Sequence, residues 1–218
     1  MARFLNEYSS KNVLRDYGLP TGEFYLAKSK EEAVAFSQKV GYPVVLKIVS
    51  DQIIHKTEAK GIKLNLKADE EVIEGYNEIL SNAREYDEKA VIDGVLVSKM
   101  LPGGIEVIVG GLRDAQFGPV VMFGLGGVFV EVFKDVQFRM APLKKNEAAD
   151  LIRSIKAYPM LTGFRGMKPV NMEALAEVLV QTGNLMHENN KIKEIDLNPV
   201  ICYEGKVKVL DASIGLEE

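Results

Sequence analysis

The chain has 218 residues, of which 47% are hydrophobic and 27% are charged, with a formal net charge of −4. This length and balance supply the core of one large domain or two small ones, and the charge provides no basic field for nucleic acid. A single cysteine excludes an intramolecular disulfide, and no apolar run reaches the roughly 18 residues of a membrane span. The N-terminus lacks the apolar core of a signal peptide. We therefore expect a soluble, cytoplasmic protein.

The first 90 residues predict short helices and strands that form a compact α+β unit. A first helix is expected in SSKNVLRDYGLP, because Ser9 or Ser10 can cap its start while Gly18 and Pro20 end it. A strand, a helix, an apolar strand, an alternating strand and an amphipathic helix follow in the segments GEFYLAKS, SKEEAVAFSQKVG, YPVVLKIVS, GIKLNLKA and DEEVIEGYNEILSNAREY.

Beyond residue 90 the pattern changes to consecutive strands, then two helices and a final pair of strands. This order favours two α+β lobes with mainly antiparallel sheets over an alternating doubly wound fold. Clefts between such lobes are favoured ligand sites. The sequence has no G-x-G-x-x-G or G-x-x-x-x-G-K-[ST] between a strand and a helix, so the common nucleotide-binding motifs are missing.

Polar residues near the C-terminus predict a metal site on a hairpin. In EIDLNPV, alternation places Asp196 and Asn198 on one face, and YEGK offers a two-residue turn. If Tyr203 pairs with Lys206, Asn198 lies directly opposite Asp211, with Cβ atoms about 4.5–5.5 Å apart. Three oxygen-bearing side chains with open positions for water and phosphate suit Mg²⁺. The alternative is a solvated polar face of an edge hairpin.

Lys47 and His55 are the candidate phosphate-handling residues. Lys47 lies in the middle of VVLKIVS, where its side chain either reaches solvent from an edge strand or points its ammonium into a cleft that holds anions. His55 follows in DQIIHKTEAKG, either as loop filling or as a chemical group. A flexible loop over residues 50–61 would allow its imidazole to approach the phosphate site of Lys47.

Two glutamates and a glycine-rich segment are weaker candidates. Glu131 lies between Phe129 and Phe133 in GVFVEVF, and a carboxylate buried there needs an arginine or metal partner. Glu106 begins a strand, where exposure is expected. The glycines of FGLGG permit close backbone approach to a phosphate, or form a plain hairpin turn.

With these residues in view, the chain resembles the ATP-grasp (beta) subunit of ADP-forming acetyl-CoA synthetases, the nucleoside-diphosphate-forming acyl-CoA ligases. The resemblance runs from about YGLP to LDASI. Its most specific pieces are GYPVVLKIVSDQIIHK, GGIEVIVGGLRDAQFGPVVMFGLGGVFVEVFKDVQFRMAPL, GMKPVNMEALAEVL and EIDLNPV. Together these segments discriminate far better than any single glycine pattern.

The resemblance implies an α+β ATP-grasp fold over residues 1–218, in which two lobes clasp a nucleotide. The smaller lobe is expected at 21–97, and the larger lobe at 1–20 and 98–218. ATP or ADP and Mg²⁺ are the implied ligands. The implied contacts are Lys47 with the nucleotide phosphates, a hinge along the adenine partly through backbone groups (Ser98, Lys99, Met100 and Leu101), Glu106 near the ribose or phosphates, and Asp196, Asn198 and Asp211 with the metal.

The resemblance also implies that His55 is phosphorylated while it relays a phosphoryl group. The family usually reads HKSDxGGV after this histidine, whereas this chain reads HKTEAKGI. Glu58 keeps the acid, but Lys60 replaces a glycine. This replacement either stiffens the loop or places a cation beside the phosphate.

The implied reaction converts acyl-CoA, ADP and phosphate into the free acid, CoA and ATP, with acetate as the family's acid. A separate CoA-binding alpha subunit is expected to supply the CoA site and the acyl pocket, in an α2β2 assembly. Two alternatives stay open: another ATP-grasp carboxylate ligase, which would not need His55, and a non-catalytic nucleotide-sensing subunit.

Overall fold

The computed structural model describes residues 3–127, 134–166 and 168–217. Two compact units make up the chain: a large unit, Met1–Thr21 with Gly103–Glu218, and a small unit, Gly22–Pro102. The large unit begins with strand β1 (Arg3–Leu5) and helix α1 (Glu7–Asp16). Within the described residues, no helix is both long and apolar enough to cross a bilayer.

The first helix is capped by Asn6, so the prediction of Ser9 or Ser10 as the cap is wrong. The Asn6 side chain accepts a hydrogen bond from the Ser9 backbone N–H at 2.9 Å. Ser10 lies buried inside the helix, where its hydroxyl donates to the Leu5 carbonyl at 3.3 Å. Several residue types that favour the cap position stand close together here, and local preference alone does not choose among them.

The small unit is a four-stranded antiparallel sheet with two helices. Its strand order is β2-β5-β3-β4. Helix α2 is capped by Ser29 and ends at Gly41, the last residue of the predicted helical segment SKEEAVAFSQKVG. In chain order the elements are β2 (Phe24–Ala27), α2 (Lys30–Val40), β3 (Val44–Val49), β4 (Ile62–Leu66), α3 (Asp69–Tyr86) and β5 (Gly94–Lys99).

The core of the small unit lies between one face of this sheet and its helices. Val44, Leu46 and Ile48 of β3 are buried with Ala33 of α2 and Ile79 of α3. Because side chains alternate along a strand, the residues between them face the opposite side of the sheet. That second face carries the candidate phosphate residue described below.

The large unit is built on a seven-stranded antiparallel sheet. Its strand order is β1-β11-β9-β6-β7-β8, and β10 pairs with β9 beside this path. After the small unit the elements are β6 (Ile105–Asp114), β7 (Gly118–Leu125), β8 (Val136–Met140), α4 (Lys145–Arg153), α5 (Tyr158–Leu161), a 3₁₀ turn (Phe164–Gly166), α6 (Met172–Glu188), β9 (Ile192–Cys202), β10 (Val207–Val209) and β11 (Ser213–Leu216).

One face of the large sheet packs against the helices that follow it. Val107 and Val109 of β6 and Leu197 of β9 share a buried cluster with Leu151 of α4 and Leu179 of α6. The predicted class, α+β with mainly antiparallel sheets, is confirmed. As in the small unit, the opposite face of the sheet carries the polar candidates.

Candidate functional site

The C-terminal hairpin has the predicted register. Val207 lies opposite Cys202, and Val209 lies opposite Val200. The Tyr203 backbone N–H donates to the Lys206 carbonyl at 2.8 Å, which closes the two-residue turn. The predicted pairing of Tyr203 with Lys206 is therefore confirmed.

The same register continues on the far side of Asn198 and Asp211. Ser213 of β11 lies opposite Asp196 of β9, and between the two paired stretches the Leu210 N–H donates to the Pro199 carbonyl at 3.0 Å. Regular pairing is interrupted between β10 and β11, yet both flanks keep one register. Asn198 and Asp211 therefore occupy facing positions in this interruption.

The candidate metal ligands lie on the face of the large sheet away from its core. Asp196 and Asn198 are exposed, whereas Leu197 between them is fully buried. Although Asp196 remains exposed, partial desolvation of its carboxyl by the surrounding protein, followed by the like charges of Asp211 and Glu194, raises its pKa above the ordinary value. Since Asn198 faces Asp211 in the register, Asp196 lies at the diagonal position to Asp211, within reach of its charge, and a cation between the two carboxylates would relieve their repulsion.

The donor set fits magnesium better than a softer metal. It consists of two carboxylates and one amide, and hard oxygen donors with water in the remaining positions are what Mg²⁺ prefers. Residues 3–127, 134–166 and 168–217 contain no cluster of three or more His, Cys, Asp or Glu side chains suited to a metal ion. A site at Asp196, Asn198 and Asp211 would thus depend on the Asn198 amide and on nucleotide oxygens.

The raised pKa of Asp196 predicts that Asp196→Asn stabilises the metal-free chain. Ionised Asp196 costs folding free energy above its folded pKa, and the cost vanishes below the unfolded value of about 4. The variant should gain at most about 0.5 kcal/mol at pH 7, because solvent screens an exposed carboxylate. Chemical denaturation at pH 7 and pH 3.5 would show the gain only at pH 7.

The exposed Asp150 on α4 provides the control, because Asp150→Asn should show no such gain. Equal free energies of unfolding for Asp196→Asn and the wild type at pH 7 would contradict the prediction. In the presence of ADP, the same Asp196→Asn chain should need more Mg²⁺ than the wild type for half-maximal nucleotide binding.

Lys47 is a buried residue of an interior strand. Strand β3 pairs with β4 on one side and with β5 on the other, where Lys47 lies opposite Leu96. Lys47 is only 9% exposed. The interpretation that it reaches solvent from an edge strand is therefore wrong. Its side chain projects from the sheet face opposite the helices, together with Val45 and Val49.

His55 is exposed, but the loop that carries it is anchored on both sides. Ile53 and Ala59 are 2% and 3% exposed and belong to the core of the small unit. The Gly61 N–H donates to the Lys56 carbonyl at 2.8 Å, and the Ile48 N–H of β3 donates to the Gly61 carbonyl at 2.7 Å. The imidazole thus stands on a hydrogen-bonded turn tied to the strand that contains Lys47.

Lys60 holds a backbone conformation that favours glycine. Its φ is +48°, in the left-handed region where a side chain crowds the following carbonyl. Its N–H donates to the Thr57 carbonyl at 3.1 Å, and its carbonyl accepts from the Asn82 side chain of α3 at 3.1 Å. These bonds hold the turn in place in spite of the strain.

Lys60→Gly is expected to stabilise the small unit. Removing the Cβ relieves about 1 kcal/mol of left-handed strain, and the greater freedom of glycine in the unfolded chain offsets part of it. We expect a net gain of about 0.5 kcal/mol, which raises Tm by about 1–2 °C. Calorimetry would measure it. Lys60→Ala keeps the Cβ and should show no gain, and equal Tm values for the two variants would refute the strain.

The hinge residues use part of their hydrogen-bonding capacity within the small unit. The Lys99 ammonium donates to the carbonyls of Gly41 and Tyr42, and the Met100 N–H donates to the Pro43 carbonyl at 2.9 Å. Ser98 is paired within the sheet. Among the described residues, the Leu101 N–H donates to no backbone carbonyl. The Met100 carbonyl and the Leu101 N–H are therefore the backbone groups of this segment that are candidates for contact with a ligand.

Glu106 lies beside the glycine-rich segment of the large unit. It is exposed, as its place at a strand start predicts. The Gly126 N–H donates to the Glu106 carbonyl at 2.7 Å, and a Cβ on Gly126 would meet the Glu106 backbone at 3.0 Å. Close backbone packing thus explains this glycine without a phosphate. Glu131 lies outside the described residues.

The sequence interpretation missed a buried ion pair in α1. The Lys11 ammonium lies 2.8 Å from the Glu7 carboxylate, and each side chain is 2% exposed. Their only sequence signal is a spacing of four residues on the helix, which is typical of surface pairs too. Lys11 also donates to the carbonyl of Leu210, the residue before Asp211, at 2.7 Å.

Comparisons with known proteins match the chain to one family. The model of the ATP-grasp domain matches residues 1–216. The beta subunit of ADP-forming acetate–CoA ligase I from Pyrococcus furiosus is 55% identical over 98% of this chain and 92% of its own. The chain belongs to the ATP-grasp beta-subunit family of ADP-forming acetate–CoA ligases. The fold and family implied by the sequence resemblance are confirmed.

Solved structures of one relative give the same result. Acetyl-coenzyme A synthetase 1 of Ca. Korarchaeum cryptofilum, with coenzyme A and Ca-AMPCP, is 51% identical with a TM-score of 0.96, over 99% of this chain and 94% of that one. The same enzyme with Mg-AMPPCP gives a TM-score of 0.87 at 48% identity, over 99% of this chain and 93% of that one. In the latter structure, a phosphohistidine segment points towards the nucleotide-binding site.

Proposed function

We propose that the chain is the nucleotide-binding beta subunit of an ADP-forming acyl-CoA ligase, with acetate as its acid. The enzyme interconverts acyl-CoA, ADP and phosphate with the free acid, CoA and ATP. One observation carries this proposal: His55 is exposed on a turn tied directly to strand β3, which carries the buried Lys47. A relay needs a nucleophile that is accessible yet attached to the phosphate-binding element.

Lys47 is assigned to the nucleotide phosphates. Lys47 lies on an interior strand, on the sheet face opposite the helices, and a phosphate group supplies the charge and the hydrogen-bond acceptors that an ammonium binds. The Met100 carbonyl and the Leu101 N–H are assigned to the adenine, whose edge offers a donor and an acceptor in matching positions. Glu106 is assigned to the ribose or the phosphates.

Asp196, Asn198 and Asp211 are assigned to magnesium. When bound, the ion supplies charge neutralisation at the phosphate oxygens. The task of this chain is to present two carboxylates and one amide from facing positions of a hairpin, on the exposed face of the large sheet. Without a cation the Asp196 and Asp211 carboxylates repel each other, and this repulsion favours binding of the metal–nucleotide complex over the free nucleotide.

His55 is assigned to the covalent step. An imidazole nitrogen attacks the phosphorus of an acyl phosphate, a nitrogen–phosphorus bond forms, and the carboxylate leaves as the free acid. The terminal oxygen of ADP then attacks the same phosphorus, which breaks that bond and regenerates the imidazole. A covalent intermediate thus divides one transfer between distant sites into two shorter ones.

The CoA chemistry is assigned to a partner. The Pyrococcus furiosus relative is named as a beta subunit, so an alpha subunit is implied for this chain as well. We propose that this alpha subunit binds CoA and holds the acyl pocket, in an α2β2 assembly.

Reconstitution tests the proposed function. The chain would be purified together with its native partner and incubated with acetyl-CoA, ADP, phosphate and Mg²⁺, and ATP formation would be followed by luminescence. We expect ATP in equal amount to released CoA. Binding of ADP without turnover in the complex would support a nucleotide sensor instead, and an amide product formed from a carboxylate and an amine would support a different ATP-grasp ligase.

A further inference from the structure

Helix α1 buries polar residues where a short amphipathic helix usually buries apolar ones. Its buried positions are Glu7, Ser10, Lys11 and Leu14. Their spacing is that of a single helical stripe facing the protein. Three of these four side chains are polar, and two carry charge. Such a stripe is expensive to bury, because each charge must leave water.

The buried charges are directed at the segment that carries Asp211. Lys11 binds Glu7 at 2.8 Å and donates to the Leu210 carbonyl at 2.7 Å. On its other side, Leu210 donates its N–H to Pro199, the neighbour of Asn198, at 3.0 Å. Leu210 is thus held through both of its backbone groups, one by α1 and one by the strand that carries Asn198.

The hydrogen bond from Lys11 to Leu210 lies at the interruption in the pairing of the sheet. Regular pairing stops at Val209 and resumes at Ser213. In the interruption, the Asp211 carboxylate accepts the Ala212 N–H at 2.9 Å. Because the buried Glu7 carboxylate holds the Lys11 ammonium in place, Lys11 can fix the position of residues 210–212 without depending on solvent.

We infer that the Glu7–Lys11 pair is a positioning element for Asp211 in the magnesium–nucleotide site. The inference rests on the proposed function, which assigns Asp211 to the metal. Neither Glu7 nor Lys11 is assigned a contact with the nucleotide. Lys11 acts through the Leu210 carbonyl, and Glu7 acts by holding the Lys11 ammonium in place beside that carbonyl. Residues behind metal ligands typically change metal affinity by about 10–100-fold.

The double variant Glu7→Leu/Lys11→Met separates this role from a purely structural one. Replacing a buried ion pair with apolar side chains of similar size is often neutral or stabilising, whereas removing one partner leaves an unpaired charge. We expect an unchanged or higher Tm, together with Mg²⁺-dependent ADP binding weakened about tenfold by calorimetry. Amide hydrogen exchange of Leu210 and Ala212 should become faster.

Two further variants provide the controls. Glu7→Gln removes the carboxylate charge but keeps an amide oxygen that can accept from Lys11, so it should lower Tm and bind Mg²⁺–ADP less tightly than the wild type but more tightly than the double variant. Asp150→Asn/Arg153→Met removes an exposed pair on α4 and should change neither Tm nor binding.

Each outcome decides the question. Wild-type Mg²⁺ dependence in a folded double variant would overturn the inference. Loss of its cooperative melting transition would also overturn it, since the pair would then serve folding and not the site. Absence of Mg²⁺-dependent ADP binding in the wild-type chain would instead refute the proposed function from which the inference starts.

Discussion

His55→Ala is expected to abolish the complete reaction, with a loss of at least about 10³-fold in turnover, as is usual when a covalent nucleophile is removed. The substitution removes the only group that we assign to carry phosphorus between the two half-reactions. ADP and ATP should still bind, because His55 is exposed on its turn whereas Lys47, which we assign to the phosphates, is buried in β3 and is unchanged. Tm should change little, since the anchors Ile53 and Ala59 remain in the core.

Labelling with phosphate identifies the phosphorylated residue. Incubation of the complex with γ-labelled ATP and Mg²⁺ should leave acid-labile, base-stable label on the wild-type chain and none on His55→Ala. The other histidine, His187, is exposed near the end of α6 and provides the matched control. His187→Ala should retain both label and activity. A His55→Ala complex that forms acyl-CoA at the wild-type rate would refute the relay.

The C-terminal hairpin could be predicted from sequence because its determinants are local. A two-residue turn fixes which residues face each other, and alternation then fixes which side chains share a face. Asn198 and Asp211 could therefore be matched from the letters YEGK alone, and the pairings on both flanks have that register. The end of helix α2 could be predicted in the same way, since Gly41 is a local signal.

Other features could not be predicted because they depend on contacts that are distant in the chain. Lys11 and Leu210 are 199 positions apart, and nothing in the sequence of α1 indicates a carbonyl as the partner of a buried lysine. The anchors of the His55 loop are similar, since Ile53 and Ala59 are ordinary apolar residues in the sequence, and only the folded small unit shows that they are part of its core. The family resemblance supplied the roles of His55 and the hinge, which spacing did not.

Strand β3 also has one feature that can be predicted from local sequence and one that depends on distant contacts. Its apolar letters predict a strand, but whether Lys47 lies at an edge depends on the pairing of β3 with both β4 and β5. An interior position turns an ordinary lysine into a buried charge. This change of environment, and not the residue type, makes Lys47 the strongest phosphate candidate of the small unit.

Lys47→Met is expected to weaken ATP and ADP binding by about 10–150-fold, which corresponds to the roughly 1.5–3 kcal/mol of a hydrogen bond to a charged group. Methionine keeps the aliphatic stem packed on the sheet face with Val45 and Val49, so the Tm of the nucleotide-free chain should change by only a few degrees. Calorimetric titration with ADP, beside a melting curve without ligand, separates the two effects.

Lys39→Met provides the control, because Lys39 lies on α2 with its ammonium 4.4 Å from the centre of the Tyr25 ring, and it should leave ADP affinity unchanged. A large loss of Tm in Lys47→Met with normal ADP affinity would make Lys47 a structural residue, and the phosphate site of the small unit would then have to be sought elsewhere.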